Sequence, residues 1–141
     1  GAEVDEFRQT SSEGIFACGN VLHVHDLADF AADEGAIAGR AAVDYLMGKI
    51  KPERRIRIQT DGRVRYTVPQ YIAGEGDVTL YYRVSNIYKN ATVGIYEGER
   101  KLLRRKKIKL APGEMETITL PASLIESITG DTIRIGLEED K

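Results

Sequence analysis

The 141-residue sequence has the composition of an ordinary globular protein, since 42% of its residues are hydrophobic and 30% are charged. It contains no apolar run of membrane-spanning length. The single cysteine, Cys18, excludes an internal disulfide and a Cys-x-x-Cys redox pair. We therefore expect a cytoplasmic protein that does not bind membranes.

Acidic and basic residues are distributed unevenly along the chain. Residues 1–48 contain nine acidic and two basic residues, whereas residues 49–141 contain thirteen acidic and eighteen basic residues. The change coincides with Gly48, a typical helix terminator, and with Pro52, which prevents the helix from resuming. We therefore expect two units, residues 1–50 and residues 51–141.

In the first unit, the apolar residues 15–18 predict a short β-strand that is buried on both faces. The same pattern predicts that Cys18 is a small buried side chain rather than a reactive thiol. Glycine at position 19 permits the close approach of another molecule, and the Asn20 side chain can donate and accept hydrogen bonds. We expect Gly19 and Asn20 to contact a ligand.

Small and apolar residues then recur at helical spacing from Asp29 to Leu46 and predict an α-helix. Gly35 and Gly39 each destabilise a helix by up to ~1 kcal/mol relative to alanine, which indicates close packing on this face. The backbone amides around Asp29 and Phe30 lack intrahelical acceptors, so we expect them to bind a carbonyl or anion of the ligand. The acidic side chains of the helix are expected to be solvated: Asp33, Glu34 and Asp44.

Two histidines stand between the predicted strand and the predicted helix. His23 and His25 flank Val24, so on an extended backbone their side chains lie on the same side. A metal site would need a third ligand from Asp26 or Asp29, and we expect no metal. Two alternatives stay open: the histidines handle protons or shape a substrate pocket, or they are hydrogen-bonded loop residues.

The first third of the chain carries a recognisable motif. Residues 10–20, TSSEGIFACGN, followed by residues 31–35, AADEG, resemble the last FAD-binding segment of the pyridine-nucleotide-dependent flavoprotein oxidoreductases. This is the superfamily of thioredoxin reductase and glutathione reductase. Within it, residues 19–27, GNVLHVHDL, are most similar to oxidoreductases linked to anaerobic glycerol-3-phosphate metabolism.

The resemblance implies a cofactor and an activity. It implies that Gly19, Asn20, Asp29 and Phe30 contact FAD in an enzyme that passes hydride from NAD(P)H through FAD to an acceptor. Asn20 stands where the family has aspartate, and no G-x-G-x-x-G motif occurs in the sequence. We therefore expect a C-terminal fragment that is inactive alone, holds no FAD alone, and has the rest of the flavoenzyme as its partner. The resemblance assigns no catalytic residue.

Beyond Pro52 the hydrophobic period changes to two and predicts seven or so short strands. Asp61-Gly62 predicts a hairpin turn, residues 97–99 another turn, and Pro112-Gly113 a type II turn. We expect a mainly β protein. Its second unit is predicted to be an immunoglobulin-like β-sandwich, preceded by a short strand, turn and helix as a remnant of a FAD-binding α/β domain.

Residues 100–109 contain seven basic residues and no acidic residue. The spacing of Leu102, Leu103 and Ile108 predicts a strand, and basic side chains commonly protect a sheet edge. The run lacks aromatic residues that could stack on bases, so we expect no binding of nucleic acid. Docking onto an acidic part of the parent enzyme or of a partner subunit is favoured instead.

Two functions remain open from the sequence. The chain is either part of a flavoenzyme or a non-catalytic β-sandwich interaction module. In both cases the apolar side chains of residues 10–46 need a cover, either from the chain's own sandwich or from a second copy. We favour a homodimer through residues 10–46, because small-residue helix faces permit close approach.

Overall fold

The fold is mainly β. The structure, a computed structural model, describes residues 1–50 and 54–139. These residues form two α-helices, α1 (Ala28–Leu46) and α2 (Ala122–Glu126), and a 3-10 turn at Gly19–Val21. They also form β1 (Ile56–Thr60), β2 (Val64–Val68), β3 (Tyr71–Ile72), β4 (Val78–Val84), β5 (Tyr88–Glu97), β6 (Arg100–Leu110), β7 (Glu116–Leu120) and β8 (Thr132–Glu139).

The strands form two sheets that share one core. The larger sheet has the order β3-β1-β8-β5-β6 and the smaller one the order β2-β4-β7. All neighbouring strands are antiparallel except β1 and β8, which run parallel with Arg57 opposite Thr132. Strand β4 follows the predicted alternation: its buried residues, which join the core cluster with residues of both sheets, are Val78, Leu80, Tyr82 and Val84.

The Asp61-Gly62 turn connects the two sheets, so the predicted hairpin is wrong. Strand β1 pairs with β3 and β8, whereas β2 pairs with β4. Asp61 Oδ1 accepts hydrogen bonds from the amides of Arg63 (3.0 Å) and Val64 (3.1 Å), and Oδ2 accepts one from Leu137 (2.9 Å). The carboxylate therefore closes a turn that crosses from β1 to the opposite sheet and is anchored on β8.

The two other predicted turns have different outcomes. Residues 97–99 join the antiparallel strands β5 and β6, with Gly98 at a φ of 59°. At Pro112-Gly113 the amide of Glu114 donates to the carbonyl of Ala111 (3.0 Å), so a turn is present. Gly113 lacks the positive φ that a type II turn requires, so the predicted turn type is wrong.

Residues 15–18 do not form the predicted buried strand. Phe16 makes a single isolated bridge to Gln9, Ile15 is 57% exposed, and Cys18 is exposed as well. A strand covered on both faces needs neighbours at both edges, and Gln9 is the only β partner of this stretch among the described residues. Helix α1, in contrast, has the predicted extent within one residue.

The N-terminal unit packs against the β-sheets through its loops. Val4 and Leu22 form a small buried cluster with Val68 of β2. The Glu6 carboxylate accepts hydrogen bonds from the amide of Ala73 (2.8 Å) and from that of Gly74. The predicted unit boundary falls partly on residues 51–53, which lie outside the described residues.

Apolar side chains on the outer part of the N-terminal unit stay exposed. Leu27, Val43 and Leu46 are all exposed, and Leu46 lies at the end of α1. The loops of the unit thus dock on the chain's own sheets, while this outer surface is left without a cover among the described residues. The homodimer through residues 10–46 remains a prediction.

The basic run forms β6, an edge strand of the larger sheet, as predicted. Part of its charge is paired within the chain, because Arg104 Nη2 lies 3.2 Å from Glu138 Oε2 and Lys107 Nζ lies 3.2 Å from Glu116 Oε2. Within residues 1–50 and 54–139, no helix combines the length and hydropathy needed to cross a membrane.

Candidate functional site

A buried carboxylate, Glu34, is the centre of a polar cluster in the N-terminal unit. It lies in the second turn of α1 and is 2% exposed, so the predicted solvated position is wrong. Its Oε1 accepts a hydrogen bond from the Gly19 amide at 2.9 Å. Its Oε2 lies 3.1 Å from His23 Nε2, 3.2 Å from His25 Nε2 and 3.4 Å from Arg8 Nε.

The loop between the 3-10 turn and α1 brings the histidines to this carboxylate. The amides of Leu22 (3.0 Å) and His23 (3.3 Å) donate to the carbonyl of Gly19 and close the turn. Gly19 has a φ of 76°, which disfavours any side chain. His23 and His25 then lie on the same side of the chain, as predicted, with ring centroids 4.2 Å apart.

The electrostatics of the cluster keep Glu34 ionised. Burial alone raises the pKa of this carboxyl group, because it penalises the charged form. The hydrogen bonds from His23 and Gly19 and the charge of Arg8 outweigh burial and hold the Glu34 pKa at about 2. Glu34 and Arg8 therefore form a buried ion pair at neutral pH.

Two tyrosines of the smaller sheet cover the histidine rings. The ring centroid of Tyr81 lies 6.1 Å from that of His23 and 5.9 Å from that of His25. Tyr66 presents its edge to His23 at 5.9 Å, and Phe30 of α1 contacts Tyr81 at 6.5 Å. The outer face of strands β2 and β4 thus seals the cluster from one side.

An ion pair fastens the histidine loop to the same sheet. Arg83 of β4 donates from Nη2 to the Val24 carbonyl and to Asp26 Oδ1, both at 2.7 Å. Asp26 Oδ2 accepts a hydrogen bond from the Met115 amide at 2.6 Å. The hydrogen bond from the Met115 amide is the main cause of the lowered Asp26 pKa. Burial raises this pKa, whereas the hydrogen bond and charge of Arg83 lower it further.

This contact gives a first testable prediction. We expect Asp26→Asn to lower the free energy of unfolding by about 1 kcal/mol at neutral pH, because a charge-assisted, half-exposed contact is lost. The folded-state pKa lies below the ordinary 3.8, so the stabilisation is complete above that pH and disappears as the pH falls below it. Urea unfolding of both proteins across the acid range measures the difference.

Asp33, an exposed acidic residue of α1, supplies the control for this experiment. Asp33→Asn removes the same charge from the exposed side of α1 and is expected to leave stability unchanged. A difference in the free energy of unfolding between Asp26→Asn and the original protein that persists undiminished well below pH 3.8 would contradict the assigned ion pair.

The residues predicted to bind a cofactor occupy different environments. The Gly19 amide donates a hydrogen bond to Glu34. A Cβ built at position 19 would meet no atom within 4 Å, so glycine is required there by its backbone conformation and not by the close approach of another part of the chain. Asn20 and Asp29 are exposed, and Phe30 is half-buried against Tyr81. Leu27 precedes α1 without providing a side-chain cap, but its carbonyl accepts a hydrogen bond from the Phe30 amide at 3.2 Å.

The structure therefore adds Glu34 and Arg8 to the candidate site. Sequence reasoning missed Glu34 because it considered only partners one helical turn away, whereas its real partners lie in the preceding loop. A usable signal was present, since Glu34 belongs to the AADEG part of the flavoprotein-like motif.

No protein-family model, curated protein or solved structure matches this chain.

Proposed function

We propose that this chain is the C-terminal part of a flavoprotein oxidoreductase, in which residues 1–50 complete the FAD site and the β-sheets form an accessory domain. The observation that supports this proposal most directly is the 2.9 Å hydrogen bond from the Gly19 amide to Glu34 Oε1. It joins the two halves of the flavoprotein-like motif, residues 10–20 and residues 31–35, and holds the turn beside the helix.

The proposal gives each residue a physical role. The exposed Asn20 side chain would bind the ribityl and pyrophosphate part of FAD as the family aspartate does, by hydrogen bonding without a charge. The Asp29 amide, which has no partner among the described residues, would bind a flavin carbonyl at the positive end of the helix dipole, whereas the Phe30 amide already donates to the Leu27 carbonyl at 3.2 Å. When bound, FAD would accept hydride from NAD(P)H and pass electrons to the acceptor.

The proposed accessory domain is an immunoglobulin-like β-sandwich. Its support is the strand order: β4 and β5 are consecutive in the chain but lie in different sheets, and so do β7 and β8. Such crossings are typical of Greek-key sandwiches. On this proposal its function is to hold the histidine loop through Arg83 and Tyr81.

An interaction module is the second candidate, favoured by strand β6. Among the described residues, Lys101, Arg105, Lys106 and Lys109 form no ion pair, and the strand is at a sheet edge. An acidic segment of a partner protein would suit both the charge and the free edge. This candidate predicts binding without any flavin.

Flavin content separates the two candidates. We expect the natural protein that carries this chain, purified from its own cells, to show a flavin absorption spectrum that NADH or NADPH bleaches without oxygen. The isolated 141-residue chain is expected to be colourless and not to oxidise NAD(P)H. A natural protein free of flavin would overturn the proposal and favour the interaction module.

A further inference from the structure

We propose that His23, His25 and Glu34 form a binding site for a divalent transition-metal ion such as zinc. This site adjoins the proposed FAD site, because Glu34 Oε1 also accepts the Gly19 amide, but none of its three ligands is a proposed FAD contact. Two imidazole nitrogens and a carboxylate oxygen are a ligand set that zinc uses in proteins, with a fourth position open to water.

The three ligand atoms already lie near coordination distances from one another. His23 Nε2 and His25 Nε2 lie 3.1 Å and 3.2 Å from Glu34 Oε2, and one ligand atom from each of the three residues falls within 4.8 Å of the other two. Ligands of a tetrahedral zinc ion, at ~2.0–2.1 Å from the metal, are about 3.3 Å apart. Small side-chain movements would thus suffice to admit the ion.

An unpartnered imidazole is the second, independent observation. The His25 side chain is 2% exposed, its Nδ1 has no hydrogen-bond partner among the described residues, and its Nε2 lies 3.2 Å from Glu34 Oε2 without the geometry of a hydrogen bond. Buried polar atoms in proteins are nearly always partnered. A metal ion between His25 Nε2 and Glu34 Oε2 would replace this poorly aligned contact with a bond from each atom to the metal.

The ligands are held by rigid parts of the fold. Glu34 projects from α1, and the histidine loop is fixed on both sides of His25 by the bonds from Arg83 to the Val24 carbonyl and to Asp26. Of the three ligands, His23 also lines an open cavity of about 460 Å³ at the protein surface. The sequence predicted no metal because the third ligand was expected to come from Asp26 or Asp29. The Asp26 carboxylate instead accepts hydrogen bonds from Arg83 and from the Met115 amide, and Glu34 is the third ligand of the proposed site.

Arg8 repels a metal ion bound at this position. A variant without the Arg8 charge can therefore distinguish a metal site from a purely structural ion pair. Its Nε lies 3.4 Å from Glu34 Oε2, and this nitrogen has no hydrogen-bond partner among the described residues. A fixed cation so close to the shared oxygen repels a divalent ion. Replacing Arg8 with an uncharged residue should raise metal affinity if the site is real.

The test is titration of the 141-residue chain with Zn²⁺ by calorimetry and with Co²⁺ by visible absorption. The background carries Cys18→Ser, because Cys18 is an exposed thiol that would bind these metals itself. We expect one ion per chain. Loss of a direct ligand in His25→Gln or Glu34→Gln should weaken binding by more than about a hundredfold, since even outer partners of ligands cost up to that much.

Two further variants complete the test. Asp33→Asn is expected to bind Zn²⁺ unchanged, and Arg8→Gln to bind it about tenfold more tightly or better. His25→Gln leaves the Arg8–Glu34 pair in place and is expected to remain folded, as checked by circular dichroism. The absence of stoichiometric binding in the Cys18→Ser protein would overturn the proposal. So would binding of equal affinity in folded His25→Gln.

Discussion

Replacing Glu34 with alanine is expected to lower the free energy of unfolding by about 3–5 kcal/mol, the cost of removing one partner from a buried ion pair. The substitution leaves the Arg8 charge buried at 2% exposure and removes the acceptor of the Gly19 amide. Urea unfolding followed by circular dichroism, with a chelator present, measures the loss without interference from bound metal.

The conservative variant separates charge from shape. Glu34→Gln retains an oxygen that can accept from Gly19 but removes the negative charge opposite Arg8, so we expect a smaller loss than for alanine. Exchange of the Gly19 amide with deuterium should accelerate most in Glu34→Ala, because that variant alone lacks an acceptor.

The matched control is Asp33→Ala, one residue earlier on the exposed side of α1. It removes an equal charge and a similar side chain from the same helix, and we expect a loss within about 0.5 kcal/mol. If Glu34→Ala were no more destabilising than Asp33→Ala, Glu34 would not be the centre of a buried network.

Helix α1 and the alternation of β4 could be predicted from the sequence because both follow from local periodicity. The apolar and small residues of α1 repeat at helical spacing, and β4 alternates with period two. The edge position of β6 was also predictable, since its basic side chains repel neighbouring strands. In each case the signal lies within the element itself.

The errors concern contacts between distant parts of the chain. The Asp61-Gly62 signal correctly marks a turn, but its local geometry does not determine which strands pair, and the acceptor Oδ2 bonds to β8. The pattern of residues 15–18 requires sheet neighbours that the described residues do not supply. Glu34 appeared solvated because helical periodicity gives no information about a loop that folds over the helix.

The proposed flavin site depends most directly on Asn20. This residue is exposed, and in the flavoprotein-like motif it stands where the resembled family has aspartate. We expect Asn20→Ala to weaken FAD binding by about tenfold, which corresponds to the loss of one good hydrogen bond. Asn20→Asp should bind FAD at least as tightly as the original residue, because a carboxylate accepts stronger hydrogen bonds from hydroxyl groups.

The decisive measurement is the Kd of FAD for the flavin-depleted natural protein with asparagine, alanine or aspartate at position 20, and with Asn86→Ala, the same change at an exposed asparagine outside residues 1–50, as the control. We predict that FAD binds more weakly with alanine at position 20, binds equally or more tightly with aspartate, and binds unchanged in the control. Equal FAD affinity for all four proteins would contradict the assignment of residues 1–50 to the FAD site.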